Sequence, residues 1–299
     1  MNAPRTALGE RSPAFGAGRP RWWQWPTILS LDAPIVAVCW QWMLAAVVAV
    51  RLQWHHAVLL AAMTWLVYAA DRWIEGFLLA PGQVRTWRHW FYQRWRWHCL
   101  AAWLVVAAAG LVVAATRLSR AEGMAGAVLS VPVLVYLLSH QLVHRRHPWR
   151  LPKEILIAVL FALGTACLAY LHAEAAPERL VAPLLLFALL CFANCALIAV
   201  WETEVDRCHA QTSLVLQFPR SRGPLRALPW AIAAAAAWLA WQQDGAPRIA
   251  AGCAAASGLL LGALDLGHQR CGRQLARVLA DVALMTPLLP WCLGDGSGP

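Results

Sequence analysis

The chain has 299 residues, 60% of them hydrophobic and 13% charged, with a mean hydropathy of +0.52. Too little polar surface remains to cover a soluble body of that size, so the solvent for most of the chain is a lipid bilayer. The formal charge of +10 does not point to nucleic acid. All but one of the 25 basic residues are Arg, and most lie in short segments between apolar runs, a pattern that serves membrane orientation and contacts with lipid or phosphate.

Residues Met1 to Pro20 are rich in Gly, Pro and Arg and carry no apolar run. Residues 1–30 therefore read as a disordered cytoplasmic tail, not a cleaved signal peptide. From residue 31 to 299 the chain reads as a single all-α transmembrane domain. A spanning helix needs about 20 mostly apolar residues. Such stretches are predicted near Ala33 to Val50, Ala57 to Ala80, Cys99 to Thr116, Met124 to Val143, Glu154 to Ala173, Val181 to Trp201, Leu228 to Trp241, Ile249 to Leu266 and Val278 to Leu293.

Nine spans can be tested by counting, because alternate connections lie on opposite sides and Lys or Arg favours the cytoplasm. The N-terminal tail and the connections after spans two, four, six and eight hold 20 basic residues; the other connections hold five, namely Arg51, Arg117, Arg120, Arg179 and Arg248. This asymmetry predicts an integral membrane protein with its N-terminus inside and its C-terminus outside. Many of the 19 tryptophans sit beside charges at span ends, as an interfacial belt does. The nine cysteines form no CxxC pair, and Cys39, Cys167, Cys191 and Cys253 lie within apolar runs, so no disulfide framework is expected.

Ionisable residues in or beside a span are costly, which makes them functional candidates. Asp71 and Glu75, at the cytoplasmic end of span two, share a helical face at i, i+4. Glu202 and Asp206 do the same at the end of span six. Both pairs open on the same side of the membrane and can face one cavity. Clustered carboxylates repel unless something positive lies between them. Mg²⁺, a hard cation that shares its coordination with substrate phosphates, suits that place, and the nearby arginines suit a diphosphate. The plainer reading of each pair is a helix end closed by a neighbouring Arg.

Two segments carry a resemblance. Val67-Tyr68-Ala69-Ala70-Asp71-Arg72-Trp73-Ile74-Glu75 and Glu202-Thr203-Glu204-Val205-Asp206-Arg207-Cys208-His209-Ala210-Gln211-Thr212-Ser213-Leu214 are similar to the two acidic motifs of the UbiA-type intramembrane prenyltransferases. In that family the motifs close helices two and six of a nine-helix bundle. The first motif runs Asn-Asp-x-x-Asp-Arg-x-x-Asp, and this chain has Val67 and Tyr68 in place of the leading Asn and Asp, and Glu75 in place of the last Asp. Tyr136 and Lys153 also resemble family landmarks.

The resemblance implies a UbiA-like helical bundle of two four-helix halves plus a ninth helix, in a bacterial inner (cell) membrane. It implies Mg²⁺ held by Asp71, Glu75, Glu202 and Asp206, with Arg72, Arg85, Arg88, Lys153, Arg207 and Tyr136 around an isoprenyl diphosphate. The reaction implied is prenyl transfer to an aromatic or lipidic acceptor, with membrane lipid as the other partner. Because Val67 and Tyr68 remove one metal ligand and a polar neighbour, the alternative is a degenerate relative that binds isoprenoid or lipid without transfer. A small transporter is a third class, opposed by acids at helix ends rather than at the bilayer midplane.

Other signals are weaker. His140, His144 and His147 recur at i, i+4, i+7 beside Arg145 and Arg146, without an acid to complete a metal set. Arg85 to Arg94 reads as an amphipathic cap over the cavity or as an ordinary basic loop. Asn194 can orient a carboxylate or bond across helices. Asp265 and Asp281 are expected to pair with arginines such as Arg270 or Arg277.

Overall fold

A computed structural model describes residues 19–78, 86–139, 152–173, 176–208 and 213–293, and among them there is helix and no strand. The helices are α1 Trp25–Ile28, α2 Asp32–Val47, α3 Trp54–Leu78, α4 Trp87–Arg94, α5 Arg96–Arg117, α6 Arg120–Leu138, α7 Lys153–Leu171, α8 Val181–Trp201, α9 Thr203–Cys208, α10 Leu214–Gln217, α11 Arg222–Gln242, α12 Gly245–Cys271, α13 Arg273–Ala283 and α14 Leu288–Leu293.

Among the described residues six helical stretches are long and apolar enough to cross a membrane: Trp54–Phe77, Arg96–Arg117, Arg120–Leu138, Lys153–Leu171, Pro177–Trp201 and Gly245–Cys271. The count rises to seven if the segment Trp22–Ile28 and α2, bent by 76°, form one span. The protein is an integral membrane protein. Two of the nine predicted stretches behave differently. The stretch 228–241 lies in α11, a continuous helix whose mean hydropathy is held down by Arg222, Arg226 and its tryptophans. The stretch 278–293 is divided between α13 and α14, with Thr286 and Pro287 in the break, where proline supplies no N–H and disfavours helix before it. Within the tail expected over residues 1–30, Trp22–Gln24 form a 3₁₀ turn and α1 follows, started by Pro26 and burying Ile28.

One apolar core draws on α2, α7, α8, α11, α12 and α13. Trp40 stacks on Phe187 with centroids 4.6 Å apart, and its indole N–H donates to the carbonyl of Leu284 at 2.8 Å, in the turn that ends α13. Gly258 and Gly262 let α12 close on α11: a Cβ at Gly262 would lie 2.5 Å from the Trp230 ring. In contrast α5 buries no residue, and Leu104, Val105, Leu111 and Val112 stand outward from it. Such an unbroken apolar surface needs lipid as its covering. The helices α3, α5 and α6 thus form an outer layer around the α2–α8–α12 centre, and the C-terminal end of α3 returns to that centre beside α4.

Candidate functional site

The two acid motifs are far apart in sequence, yet their side chains share one buried cluster. Glu75 ends α3, Glu202 follows the last turn of α8, and Asp206 lies one turn on in α9, all three buried. Lys153, at the start of α7, interacts electrostatically with Asp206, Glu75 and Asp71 together. Arg88, from α4, likewise faces Glu202, Glu75 and Asp206. Arg72 lies 3.8 Å from Glu75 and also faces Asp71. Tyr136, on α6, is buried within reach of Asp71 and Glu75.

The local sequence explains how α4 brings its side chains inward. Gly76, directly after Glu75, allows a close approach: a Cβ there would lie 3.4 Å from both the His89 carbonyl oxygen and the Gln93 nitrogen. Gln93 Nε2 donates to the Gly76 carbonyl at 3.3 Å, and Thr86 caps the helix by accepting the His89 backbone N–H. The result buries Arg88, His89 and Tyr92 on one face. The described part of the 85–94 stretch is a packed helix, α4, whose Arg88 and His89 face the acids.

Each acid has cationic or hydrogen-bonding neighbours. His89 Nε2 lies 2.9 Å from Glu75 Oε2, and its Nδ1 lies 2.7 Å from the Thr86 hydroxyl. With Nε2–H donating to the carboxylate, Nδ1 accepts the Thr86 hydroxyl and the ring is neutral. Burial pushes this imidazole down to about 4, against the pull of Glu75. Glu202 Oε2 accepts from Arg277 of α13 at 2.5 Å and from Arg88 at 3.5 Å. Burial raises the Glu202 carboxyl above its ordinary value, Arg88 opposes that rise and Asp206 adds to it. Four acids (Asp71, Glu75, Glu202, Asp206) therefore share the region with four fixed cations (Arg72, Arg88, Lys153, Arg277). The positive filler that the clustered carboxylates require is present in the chain itself.

The cations are not saturated. Among the described residues Nε of Arg72, Nε and Nη1 of Arg88 and Nε of Arg277 are buried without a hydrogen-bond acceptor. Buried guanidinium N–H groups lacking acceptors are costly and suit an anion brought from outside. A narrow cleft of about 50 Å³ opens beside them, and Thr27, Thr86, Arg88, Glu202 and Arg277 are among its lining.

Most of the predicted site residues meet here: Asp71, Arg72, Glu75, Arg88, Tyr136, Lys153, Glu202 and Asp206. Arg207 does not. It is exposed and paired with Glu204 at 2.9 Å, pointing away from the cluster. Arg85 and the His140, His144 and His147 series lie outside the described residues. Sequence reasoning missed His89, Arg277 and Glu154. His89 sits in the stretch read as an amphipathic cap or a basic loop, and Arg277 in the basic connection before the ninth predicted span; Glu154, two residues from Pro152, accepts the Leu214 N–H at 3.1 Å and ties α10 to α7.

The expected arginine partners of Asp265 and Asp281 are different too. Asp281 accepts from Asn194 at 2.9 Å, so Asn194 bonds across helices and orients a carboxylate of α13. Asp265 accepts from Trp201 Nε1 at 2.8 Å and lies 3.6 Å from Arg226. In the first motif, Tyr68 faces Asp32 and Asp281, and Asp32 also reaches Arg72.

Compared with family models, with characterised proteins and with solved structures, the chain matches none.

Proposed function

We propose that the chain is a Mg²⁺-dependent intramembrane prenyltransferase of the UbiA type, built as a nine-span bundle with its N-terminus cytoplasmic and its C-terminus outside. It transfers an isoprenyl group from an allylic diphosphate to an aromatic or lipidic acceptor. The observation that carries this reading is the meeting of the two acid motifs around Arg72, Arg88 and Arg277, each of which keeps a buried N–H group without an acceptor. A diphosphate supplies those acceptors, and the outward apolar surfaces of α3 and α5 adjoin lipid in which a prenyl tail dissolves.

The donor set fits the metal. Asp71, Glu75, Glu202 and Asp206 offer hard oxygen ligands of the kind Mg²⁺ takes together with substrate phosphates. When bound, Mg²⁺ supplies charge that stabilises the leaving diphosphate. The arginines and Lys153 hold the diphosphate oxygens as its bond to the allylic carbon breaks, and α4 keeps bulk water from the carbon. The acceptor gains the prenyl group through a new bond to that carbon and loses a proton.

A second reading is a binder without transfer. It is favoured by the hydrogen bond from His89 that already holds Glu75 and the ion pair that holds Glu202, and by Val67 and Tyr68 in the places of two polar family residues.

The test is release of diphosphate from labelled geranyl, farnesyl and geranylgeranyl diphosphates by the purified protein in lipid, with acceptor pools, Mg²⁺ or EDTA, and Asp206→Asn as control. Release that requires both Mg²⁺ and Asp206 supports transfer. Binding that persists in Asp206→Asn, with no release under any acceptor, supports the binder. No binding of any of the three overturns both.

A further inference from the structure

A second polar cluster lies at the opposite end of the same helices. His56 is in the first turn of α3, Glu122 in the first turn of α6, and His172 directly follows α7. The rise along α3 from His56 to Glu75 is about 28 Å, close to the thickness of the hydrocarbon core, so the cluster is remote from the acid motifs.

Its geometry is convergent. His56 Nε2 and His172 Nε2 each lie 2.9 Å from the same atom, Glu122 Oε1. The three ligand atoms lie within 4.8 Å of one another, and the two imidazole rings stack at 25°. The other oxygen of Glu122 is engaged, accepting the Ser119 backbone N–H at 2.6 Å in a capping box. His56 is 4% exposed, and its Nε2, though 2.9 Å from Oε1, does not meet it at a hydrogen-bonding angle. A buried ring nitrogen in that state is the exception that calls for a cause. His172 is partly exposed, so the cluster opens to solvent on one side.

We propose that His56, Glu122 and His172 form a binding site for a Zn²⁺-class cation, with a fourth position open toward solvent at His172. Two imidazoles and one carboxylate are a borderline ligand set that Zn²⁺ accepts, whereas Mg²⁺ and Ca²⁺ favour oxygen alone. Bonds of about 2.0–2.1 Å at tetrahedral angles place ligand atoms roughly 3.3 Å apart. The present 2.9 Å contacts therefore open by a few tenths of an ångström, which the side chains of three separate helix ends allow. One cost is identifiable. His56 Nδ1 accepts the Gln53 backbone N–H at 3.2 Å, and binding through Nε2 moves the ring proton onto Nδ1 and forfeits that bond, about tenfold in affinity.

The site has a mechanical role. Among its described residues α6 buries Glu122, Tyr136 and Leu137, leaving little apolar contact to hold its first half in the bundle. A cation shared by α3, α6 and the end of α7 fastens that half. This inference is independent of the diphosphate site.

The experiment uses tag-free full-length protein in lipid, stripped with chelator, then loaded with Zn²⁺ or Co²⁺ alone and desalted. The expected result is one ion retained per chain, tetrahedral-type visible bands with Co²⁺, and a rise in thermal stability. Glu122→Gln and His172→Ala should each weaken binding about tenfold or more. His172 is partly exposed, so its replacement tests the site without emptying the core. A variant with His140, His144 and His147 all changed to Ala should bind as the wild type does. The proposal is overturned if the wild-type protein retains no ion, if Glu122→Gln and His172→Ala bind equally well, or if binding disappears in the triple variant.

Discussion

His89 of α4 meets Glu75 of α3 at 2.9 Å with both side chains almost withdrawn from solvent, so a neutral ring helps fasten a short interfacial helix to the end of a spanning one. Removing that ring leaves a buried carboxylate short of a donor. His89→Ala should therefore destabilise the protein by about 1–3 kcal/mol, through an unsatisfied buried acceptor. His89→Gln, which keeps an N–H at the same reach, should recover part of the loss. Thermal unfolding in lipid or mild detergent, followed by tryptophan fluorescence, checks both.

The same ring gives stability a pH dependence of definite sign. The ordinary imidazole takes a proton near 6.5, whereas burial delays this in His89 to about 4. Between those values the unfolded chain binds the extra proton and the folded one does not, so stability falls as pH falls and is flat above the window. By pH 5 the loss should reach about 2 kcal/mol. Melting in EDTA-containing buffers across pH 5 to 8 should show this decline in the wild type and a flatter profile in His89→Gln. An equal decline in both would remove His89 as its cause.

Among the described residues Arg277 on α13 is the closest cation to Glu202, which it meets from the far end of the sequence. Breaking a buried pair by removing one partner costs about 3–5 kcal/mol, because the other charge stays buried. Arg277→Met should show a loss of that order. The double change Glu202→Met with Arg277→Met should recover part of it, since the carboxylate left unpaired by the single change is gone while Arg88 loses its contact with Glu202. A double-mutant cycle of melting temperatures, with Arg88 kept, reads the coupling directly.

How much of this was readable beforehand follows from the kind of signal each feature leaves. Apolar run length located α2, α3, α5, α7 and α8 to within a few residues, because a hydrocarbon core imposes its thickness on the sequence. The i, i+4 spacing of Asp71 with Glu75 and of Glu202 with Asp206 marked the acid faces, because helical periodicity is local. The partners were another matter. Asn194 with Asp281, Trp201 with Asp265 and Arg277 with Glu202 are contacts between helices, and nothing in the spacing of either member identifies the other. The position of Arg207 outside the cluster was hidden for a related reason. The turn of α9 points it outward to Glu204. The break at Pro287 was visible as a proline and still overlooked, because hydropathy alone continued across it.

The close contact of Gly262 with Trp230 makes a packing prediction. A Cβ at that position falls 2.5 Å from the indole, whose rigid ring sits against α12. Gly262→Ala should therefore destabilise by about 1–3 kcal/mol through overpacking. Restoring the space with Trp230→Leu in the same chain should reduce the penalty, and non-additivity of the two melting shifts is the measurement.

The strongest lever on the proposed metal site is the pair of positions where this chain departs from the first motif. Tyr68 faces Asp32 and Asp281, and Arg72 lies close enough to interact with Asp32 as well as Asp71. Placing Asn at 67 and Asp at 68 adds a carboxylate to a region already holding several, with no added cation from the protein. Without metal this should lower stability, through repulsion among buried acids. With Mg²⁺ it should do the opposite: a cation that binds the folded state alone stabilises by about 2.7 kcal/mol at a hundred times its dissociation constant. Val67→Asn with Tyr68→Asp should therefore unfold earlier than the wild type in EDTA and gain more from Mg²⁺. A Mg²⁺ response identical to that of the wild type would mean that position 68 does not look onto the carboxylates of Asp71 and Glu75 as the motif alignment requires, and the alignment would no longer support the proposed metal site.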